Sequence, residues 1–181
     1  MKKALIIIDY TNDFVATDGK LTCGIPAQDI DNNISNIVEE FSANNDFIVI
    51  ASDYHTENDQ YNPETKMFPA HCISETTGCK LYGNTFKEVN KIKPEQLIEI
   101  EKTRYSSFSG TNLDMKLRER DIKDIYLVGV CSDICVLHTA IDAYNLGYNL
   151  YIYEKGIASF NSAGHDFAIQ HFKDTLGAKI I

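Results

Sequence analysis

Three short, uninterrupted apolar runs constrain the fold of this chain more than any other feature. They cover residues 4–8, 47–51 and 125–130 and are rich in Ile, Leu and Val. Such runs are typical of parallel strands that are buried on both faces. Apolar residues between the first two runs recur at helical spacing, with Asp29 as a plausible N-cap: Ile30, Ile34, Ile37, Val38 and Phe41. This alternation predicts a parallel sheet with right-handed crossovers and helices on both faces.

Weaker patterns complete the predicted fold. We predict strands at 97–100, 148–153 and 178–181, and helices at 113–118, from 136 onward and at 162–175. The fold class is α/β, a three-layer α/β/α arrangement with a mostly parallel six-stranded sheet. One domain covering residues 1–181 would bury a full core without a disulfide or structural metal. A polar loop at about 54–94, which contains several aromatic residues and histidines, is long enough to be functional.

The charge balance and the cysteines exclude several classes of protein. The formal net charge is −9 without a cluster of Lys and Arg, so we expect neither nucleic acid nor a membrane as partner. The N-terminal apolar run stops at Asp9, too short to span a bilayer and without a cleavage site after it, so we expect a cytoplasmic protein. Five cysteines without a Cys-x-x-Cys spacing indicate neither a disulfide framework nor a zinc ribbon.

Reactive side chains follow four successive predicted strands. Asp9 follows the first strand, Asp53 and His55 the second, Lys102 the third and Cys135 the fourth. Ligands bind outside the carboxyl ends of the strands in such sheets, so we expect these side chains to gather at one edge.

Cys135 lies close to a predicted helix N-terminus. There, unpaired N–H groups and the helix dipole can lower a cysteine pKa from about 8.5 to roughly 3.5–7.5, which favours a thiolate. We interpret Cys135 as a nucleophile, with Asp9 to exchange its proton and Lys102 to stabilise the anions. Alternatively, Cys135 is a small buried hydrophobe and the other two form a structural ion pair. The three together favour catalysis, because buried charges are rarely kept without a purpose or a partner.

Four further side chains suggest a metal site. Asp53 and His55 lie on the same side of an extended chain, and Glu64 and His71 follow within the long loop. Nitrogen and oxygen ligands of this kind suit zinc, manganese or iron. The alternative is that they cap turns. Cys72 is a weaker candidate, either as a ligand beside His71 or as a redox partner of Cys79.

Aromatic residues close in sequence to these candidates suggest a flat pocket for a ring. Phe14, Phe68 and Tyr105 could line it, although ordinary core packing would also explain them. The other histidines lie on predicted helices away from the strand ends, where we expect structural or exposed roles: His138, His165 and His171.

Four motifs follow one another along the chain: IDYTNDF at 8–14, SDYH at 52–55 with Glu64 and FPAH at 68–71, KTRYSSF at 102–108, and GVCSDICV at 129–136. Taken in this order, they resemble those of the nicotinamidases (pyrazinamidases) of the isochorismatase-like cysteine hydrolase superfamily. The resemblance covers nearly the whole chain. It implies an enzyme of NAD salvage that hydrolyses the linear carboxamide nicotinamide, with one divalent metal ion as cofactor. We also expect a homo-oligomer.

The resemblance assigns a role to each candidate. It implies a catalytic triad of Asp9, Lys102 and Cys135, which forms a thioester and releases ammonia. It implies a cis peptide before Cys131 that directs the N–H groups of Cys131 and Cys135 into an oxyanion hole. It also implies a metal centre that holds the ring nitrogen of the substrate, with these ligands: Asp53, His55, Glu64 and His71.

One position departs from many relatives and leaves the metal open. Where many members have a histidine, this chain has Glu64, so manganese or iron is as acceptable as zinc. Two other functions remain as alternatives. One is a metal-free hydrolase of the same superfamily acting on isochorismate or another small amide. The other is a metal or thiol sensor that uses cysteines: Cys72, Cys79, Cys131 and Cys135.

Overall fold

The predicted parallel sheet is the centre of the molecule. The computed structural model describes residues 3–181, so Met1 and Lys2 of the N-terminal stretch lie outside the described residues. The strands are Lys3–Ile8 (β1), Phe47–Asp53 (β2), Leu97–Lys102 (β3), Asp124–Val130 (β4), Asn149–Ala158 (β5) and Lys179–Ile180 (β6). They lie in the order β3-β2-β1-β4-β5-β6, and every neighbouring pair is parallel.

Helices cover both faces of this sheet, which confirms the three-layer α/β/α class. They are Asn12–Val15 (α1), Ile25–Asp29 (α2), Asp31–Ala43 (α3), Gly83–Val89 (α4), Leu113–Arg118 (α5), Cys135–Asn145 (α6) and Ser162–Asp174 (α7), with 3₁₀ helices at Pro63–Lys66 and Pro94–Gln96. Buried residues of α5, α6 and α7 pack into one core, and those of α1 to α4 pack into the other. Within residues 3–181, no helix is both long and apolar enough to cross a membrane.

The position of β1 in the middle of the sheet explains why its sequence does not alternate between apolar and polar residues. Ala4, Ile6 and Ile8 belong to the core under α5, α6 and α7. Leu5 and Ile7, which point the other way, belong to the core under α1 to α4. Because successive side chains of a strand face opposite sides, a strand covered on both faces needs apolar residues at every position.

The order of the strands creates the place where a ligand can bind. The chain runs outward from β1 to β2 and β3, then returns to place β4 on the other side of β1. Neighbouring strands whose connections leave in opposite directions form a crevice at their carboxyl ends. Asp9 and Cys135 follow the two strands at this switch point.

The predicted N-cap Asp29 is wrong. The predicted helix is divided into two helices, α2 and α3. Asp29 is the last residue of α2, and the N-cap of α3 is Ile30, which makes no side-chain hydrogen bond. Pro26 near the start of α2 favours a short separate helix there. Asp31 is the carboxylate that caps a helix: it accepts the N–H groups of residues 84 and 85 in the first turn of α4.

The predicted and observed boundaries of the strands and helices differ most where the sequence pattern is weak. The third and fifth strands are longer than predicted, ending at Lys102 and Ala158, and the terminal strand is shorter. The segment at 54–94 also contains α4 and a 3₁₀ helix, which the sequence pattern did not predict. These short helices carry too few residues for apolar periodicity to show.

Candidate active site

The strand-end side chains lie together at the carboxyl edge of the sheet. Asp9 directly follows β1, Asp53 and Lys102 are the last residues of β2 and β3, and Cys135 is the first residue of α6. Asp53 and Lys102 are register partners on neighbouring strands. All four side chains are buried. The topology therefore brings together residues from distant parts of the sequence.

A buried lysine joins two of the carboxylates. Lys102 Nζ lies 2.6 Å from Asp9 Oδ2 and 2.6 Å from Asp53 Oδ1. It also donates a hydrogen bond to the carbonyl of Arg104 at 3.2 Å. Burying an ammonium group is costly unless it is paired and hydrogen-bonded, and these contacts meet that requirement. The sequence suggested a pair between Lys102 and Asp9, and the structure adds Asp53 as a second carboxylate.

Burial and charge oppose one another in setting the pKa values of this cluster. Burial, and then the charge of Asp53, raises the pKa of Asp9 to about 6, although Lys102 acts against the shift. Burial also works against ionised Asp53, but the ammonium of Lys102 and the neighbouring His55 lower the pKa of Asp53 overall. Burial works against charged Lys102 too, yet the two carboxylates raise the pKa of Lys102 well above its ordinary value. Near neutral pH, Asp9 is therefore an ionised carboxylate that accepts a proton readily.

Cys135 faces this cluster as a thiol. Its Sγ and one carboxylate oxygen each of Asp9 and Asp53 lie within 4.8 Å of one another. Burial raises the pKa of Cys135 well above its ordinary value; Lys102 lowers it, and Asp9 and Asp53 raise it further. The thiolate predicted from the helix N-terminus is wrong for the resting site, because burial and the two carboxylates outweigh the effect of Lys102 on the pKa of Cys135. The nearby Asp9 carboxylate can remove the proton instead.

The turn between β4 and α6 leaves two backbone donors available. The peptide between Val130 and Cys131 is cis, as the resemblance implied. The carbonyl of Cys131 accepts the N–H groups of Ile134 and Val136. Within residues 3–181, the N–H groups of Cys131 and Cys135 donate to no backbone carbonyl. Their role as oxyanion donors stays a prediction.

Gly129 allows this turn to lie against the central strand. Its φ is +120°, in the region that side chains disfavour. A Cβ atom there would lie 1.9 Å from the carbonyl oxygen of Ile8, so any side chain would collide with β1. The close approach of β4 to β1 at the switch point therefore requires glycine.

Four potential metal ligands form a second cluster beside the first. Asp53 Oδ2 lies 3.6 Å from His55 Nε2 and 3.9 Å from His71 Nε2, which lies 3.6 Å from Glu64 Oε2. Within residues 3–181, these buried atoms have no hydrogen-bond partner: Asp53 Oδ2, His55 Nε2, Glu64 Oε1 and His71 Nε2. Buried polar atoms are rarely unpaired, and two imidazoles with two carboxylates form a nitrogen and oxygen ligand set. These residues fit one divalent ion.

A different trio of ligand types fits a metal less well. Asp9, Asp53 and Cys135 also lie within 4.8 Å of one another. The ammonium of Lys102 already lies 2.6 Å from both carboxylates and would repel a second cation. The cluster of Asp53, His55, Glu64 and His71 is therefore the candidate metal site.

Backbone hydrogen bonds fix the long loop where it carries these ligands. The N–H of His55 donates to Cys72 and the carbonyl of His55 accepts the N–H of Ser74, both at 2.9 Å. The N–H of Cys72 donates to Asp13 Oδ2 at 2.7 Å, which joins the loop to α1. Turn capping, the alternative explanation for these side chains, does not account for their unpaired atoms.

A cavity of about 360 Å³ opens onto both clusters. Its wall contains Cys135 together with Asp53 and Glu64 of the candidate metal site. The three predicted aromatic residues also line it: Phe14, Phe68 and Tyr105. The cavity is largely apolar and is large enough to hold a small aromatic ring with a polar substituent.

Several lining residues were not identified from the sequence. Leu21, Ile134 and Phe160 contribute apolar surface to the same cavity. Phe160 is 63% exposed and follows the end of β5, so the strand-end argument could have found it. No comparable pattern marked Leu21, which lies in an irregular segment.

The remaining histidines have structural contacts. His138 Nδ1 hydrogen-bonds to the carbonyl of Ile134 at 2.8 Å, and its ring packs 5.2 Å from that of Tyr105. His165 Nδ1 hydrogen-bonds to Ser132 Oγ at 2.9 Å and so connects α7 to the turn after β4. His171 packs 5.5 Å from the ring of Phe167 on the surface of α7.

The cysteine contacts differ from those that the sensor hypothesis named. All five cysteines are free. Cys131 Sγ lies 3.1 Å from the Sγ of Cys23, a residue that the sensor hypothesis did not include. Cys72 contacts the hydroxyl of Thr11 at 3.4 Å and is not part of the metal cluster.

Comparisons with known proteins agree with this geometry. The model of the isochorismatase domain family matches residues 3–181. The uncharacterised isochorismatase family protein PncA of Bacillus subtilis (strain 168) is 53% identical over 181 residues, 99% of each chain.

Solved structures show the same fold. The crystal structure of nicotinamidase/pyrazinamidase PncA from Bacillus subtilis has a TM-score of 0.97 and 49% identity, and the alignment covers 99% of each chain. A pyrazinamidase of Pyrococcus horikoshii in complex with zinc has a TM-score of 0.85 and 27% identity over 100% of this chain and 99% of its own. The fold of this chain is therefore shared with solved structures named as nicotinamidase and pyrazinamidase.

Proposed function

The chain belongs to the isochorismatase family, and we propose that it is a metal-dependent nicotinamidase that converts nicotinamide to nicotinate and ammonia. The observation that carries the proposal is the single cavity in which Cys135 and the ligand-type carboxylates of Asp53 and Glu64 share one wall. A ring bearing a carboxamide can face both groups of side chains at once. The resemblance to solved nicotinamidase structures supports the choice of substrate.

In the first half of the reaction, Asp9 accepts the proton of the Cys135 thiol and Sγ attacks the carboxamide carbon. The pKa of Asp9, about 6, suits a base at neutral pH. The carboxamide oxygen becomes an anion that the N–H groups of Cys131 and Cys135 stabilise. Lys102 remains an ammonium and keeps the surrounding carboxylates ionised.

In the second half, Asp9 returns its proton to the leaving nitrogen. The carbon–nitrogen bond breaks, ammonia leaves and a thioester with Cys135 remains. Asp9 then accepts a proton from water as the water oxygen attacks the thioester carbon. The carbon–sulfur bond breaks, Asp9 passes this proton to the leaving sulfur to restore the Cys135 thiol, and the released acid ionises to nicotinate. The sum is nicotinamide plus water giving nicotinate plus ammonium, because ammonia takes up the proton that the acid loses.

Asp53, His55, Glu64 and His71 would hold the divalent ion, for which zinc, manganese and iron are all suitable. When bound, the ion supplies a fixed positive charge that orients the ring nitrogen. Phe14, Phe68 and Tyr105 stack against the ring and exclude water from the carboxamide. The proposal also includes a single domain over residues 1–181, a cytoplasmic location and a homo-oligomer.

Ammonia release from a panel of amides tests the proposal. We expect release from nicotinamide and pyrazinamide, loss of activity with a chelator, and slow reaction of benzamide, which lacks the ring nitrogen. Equal rates for benzamide and nicotinamide, unaffected by chelator, would refute the metal dependence. No ammonia from any amide would refute the activity and favour the metal-free alternative, which cleavage of isochorismate would then support.

A further inference from the structure

Asn62 connects two of the candidate metal ligands without being one itself. Its side chain is buried, with 4% exposure. Asn62 Nδ2 lies 2.8 Å from His55 Nδ1. Asn62 Oδ1 accepts the N–H of Glu64 at 3.0 Å and so caps the 3₁₀ helix that carries Glu64. One amide therefore contacts both His55 and the backbone of Glu64.

The contact with Glu64 fixes the orientation of this amide. A backbone N–H can only donate, so the oxygen of Asn62 must face Glu64 and the NH₂ group must face His55. An NH₂ group offers only hydrogens, so His55 Nδ1 accepts. In a neutral imidazole the proton then lies on Nε2.

This tautomer conflicts with metal binding through His55 Nε2. That nitrogen lies 3.6 Å from Asp53 Oδ2, inside the ligand cluster, and a metal needs its lone pair. His71 has no such conflict. Its Nδ1 lies 2.9 Å from the carbonyl of Pro69, which can only accept, so the lone pair of His71 is on Nε2 and faces the cluster. The two histidines thus differ in readiness for an ion.

We propose that Asn62 is a positioning residue that sets the affinity of the metal site, by controlling which nitrogen of His55 is available to the ion. The inference rests on the metal site of the proposed function. For His55 to bind through Nε2, its proton must move to Nδ1 and find an acceptor there. The amide oxygen of Asn62 can be this acceptor only in two ways. It must either give up its hydrogen bond from the N–H of Glu64 or accept from Glu64 and His55 together. Metal binding is therefore coupled to the cap of the 3₁₀ helix.

Replacing the amide by a carboxylate removes the conflict. In Asn62→Asp, one oxygen can accept the N–H of Glu64 while the other accepts from His55 Nδ1. We expect this variant to bind Zn²⁺ about tenfold more tightly than the wild type, and Asn62→Ala, which offers no acceptor, to bind about tenfold more weakly.

Asn58→Asp is the matched control for the added charge. Asn58 lines the same side of the ligand cluster, in a cavity with His55, Glu64 and His71, but it makes no hydrogen bond to His55. If charge alone mattered, Asn58→Asp and Asn62→Asp would tighten binding equally. The αL conformation of residue 58, with φ of +60°, is one that aspartate tolerates.

Competition with a chromophoric chelator at fixed pH gives the dissociation constant of Zn²⁺ for each variant, and circular dichroism checks its folding. Tighter binding by Asn62→Asp than by Asn58→Asp supports the proposal, and equal binding overturns it. If Asn62→Ala does not fold, the two aspartate variants still decide. If the wild type binds no Zn²⁺, the metal site of the proposed function is refuted. If the wild type and the variants all bind Zn²⁺ with equal affinity, only the role of Asn62 is refuted.

Discussion

Both clusters at the sheet edge contain buried carboxylates, but they differ in how the carboxylate charges are compensated. In the cluster of Asp9, Asp53, Lys102 and Cys135, the ammonium contacts two carboxylates at 2.6 Å. In the cluster of Asp53, His55, Glu64 and His71, the facing nitrogen and oxygen atoms are 3.6 to 3.9 Å apart, and four of its polar atoms have no hydrogen-bond partner within residues 3–181. The first contains its own cation and the second needs one. This difference supports the proposal that the first cluster transfers protons and the second binds a metal.

Asp53 belongs to both clusters. Its Oδ1 contacts Lys102 and its Oδ2 faces the two histidines. Lys102 keeps Asp53 ionised, which is the state a metal ligand needs. Lys102 therefore contributes to both clusters.

The largest expected effect is on the first cluster alone. Cys135→Ala should reduce kcat/KM for nicotinamide by at least about 10³-fold, because it removes the thiol that lies beside the Asp9 carboxylate. Its Zn²⁺ affinity should equal that of the wild type, since Cys135 is outside the ligand cluster. Ammonia release and chelator competition measure the two quantities. Cys79→Ala removes a thiol outside the site and should keep full activity; residual activity of Cys135→Ala near the wild-type rate would contradict the assignment.

The next largest effect is on the second cluster. His71→Ala should weaken Zn²⁺ binding by more than about 100-fold and lower ammonia release in parallel. Iodoacetamide should alkylate Cys135 at the same rate in chelator-treated His71→Ala as in chelator-treated wild type, because the variant keeps the first cluster intact. Peptide mass spectrometry locates the alkylated cysteine. Loss of both metal and thiol reactivity would show that the clusters do not act separately.

The smallest effect is a pH dependence that depends on Asp9. Below its pKa of about 6, Asp9 is protonated and cannot accept the thiol proton, so kcat/KM should fall about tenfold per pH unit. Stopped assays on protein with its metal content measured at each pH give the profile. His138→Gln is the control, because it removes an imidazole that packs against Tyr105 of the cavity wall and keeps Asp9. A limb that disappears in His138→Gln would exclude Asp9 as its origin.

Sequence patterns were sufficient for the features that depend on topology. Unbroken apolar runs predict strands buried on both faces, and parallel strands bring their carboxyl ends to one edge. That reasoning alone placed Asp9, Asp53, Lys102 and Cys135 together. It needed only the order of the strands and no side-chain orientation.

Features that depend on orientation and burial were not predictable in this way. The two contacts of Asp53 depend on where each oxygen points, and the raised pKa of Cys135 depends on its full burial. Asp29 was predicted as a cap because it directly precedes the helical pattern. The local sequence does not show that the neighbouring Asp31 caps α4, which lies far along the chain. Asn62 carried no signal, since a buried asparagine in a polar loop resembles a turn residue.

The paired burial of Lys102 also has a consequence for how the chain folds. Its ammonium is compensated only when β1, β2 and β3 are in register, and these strands are joined by long connections. Contacts between distant segments are slow to form, so the lysine stays hydrated until the sheet is assembled. Recovery of catalytic activity during refolding should therefore follow the appearance of helical secondary structure.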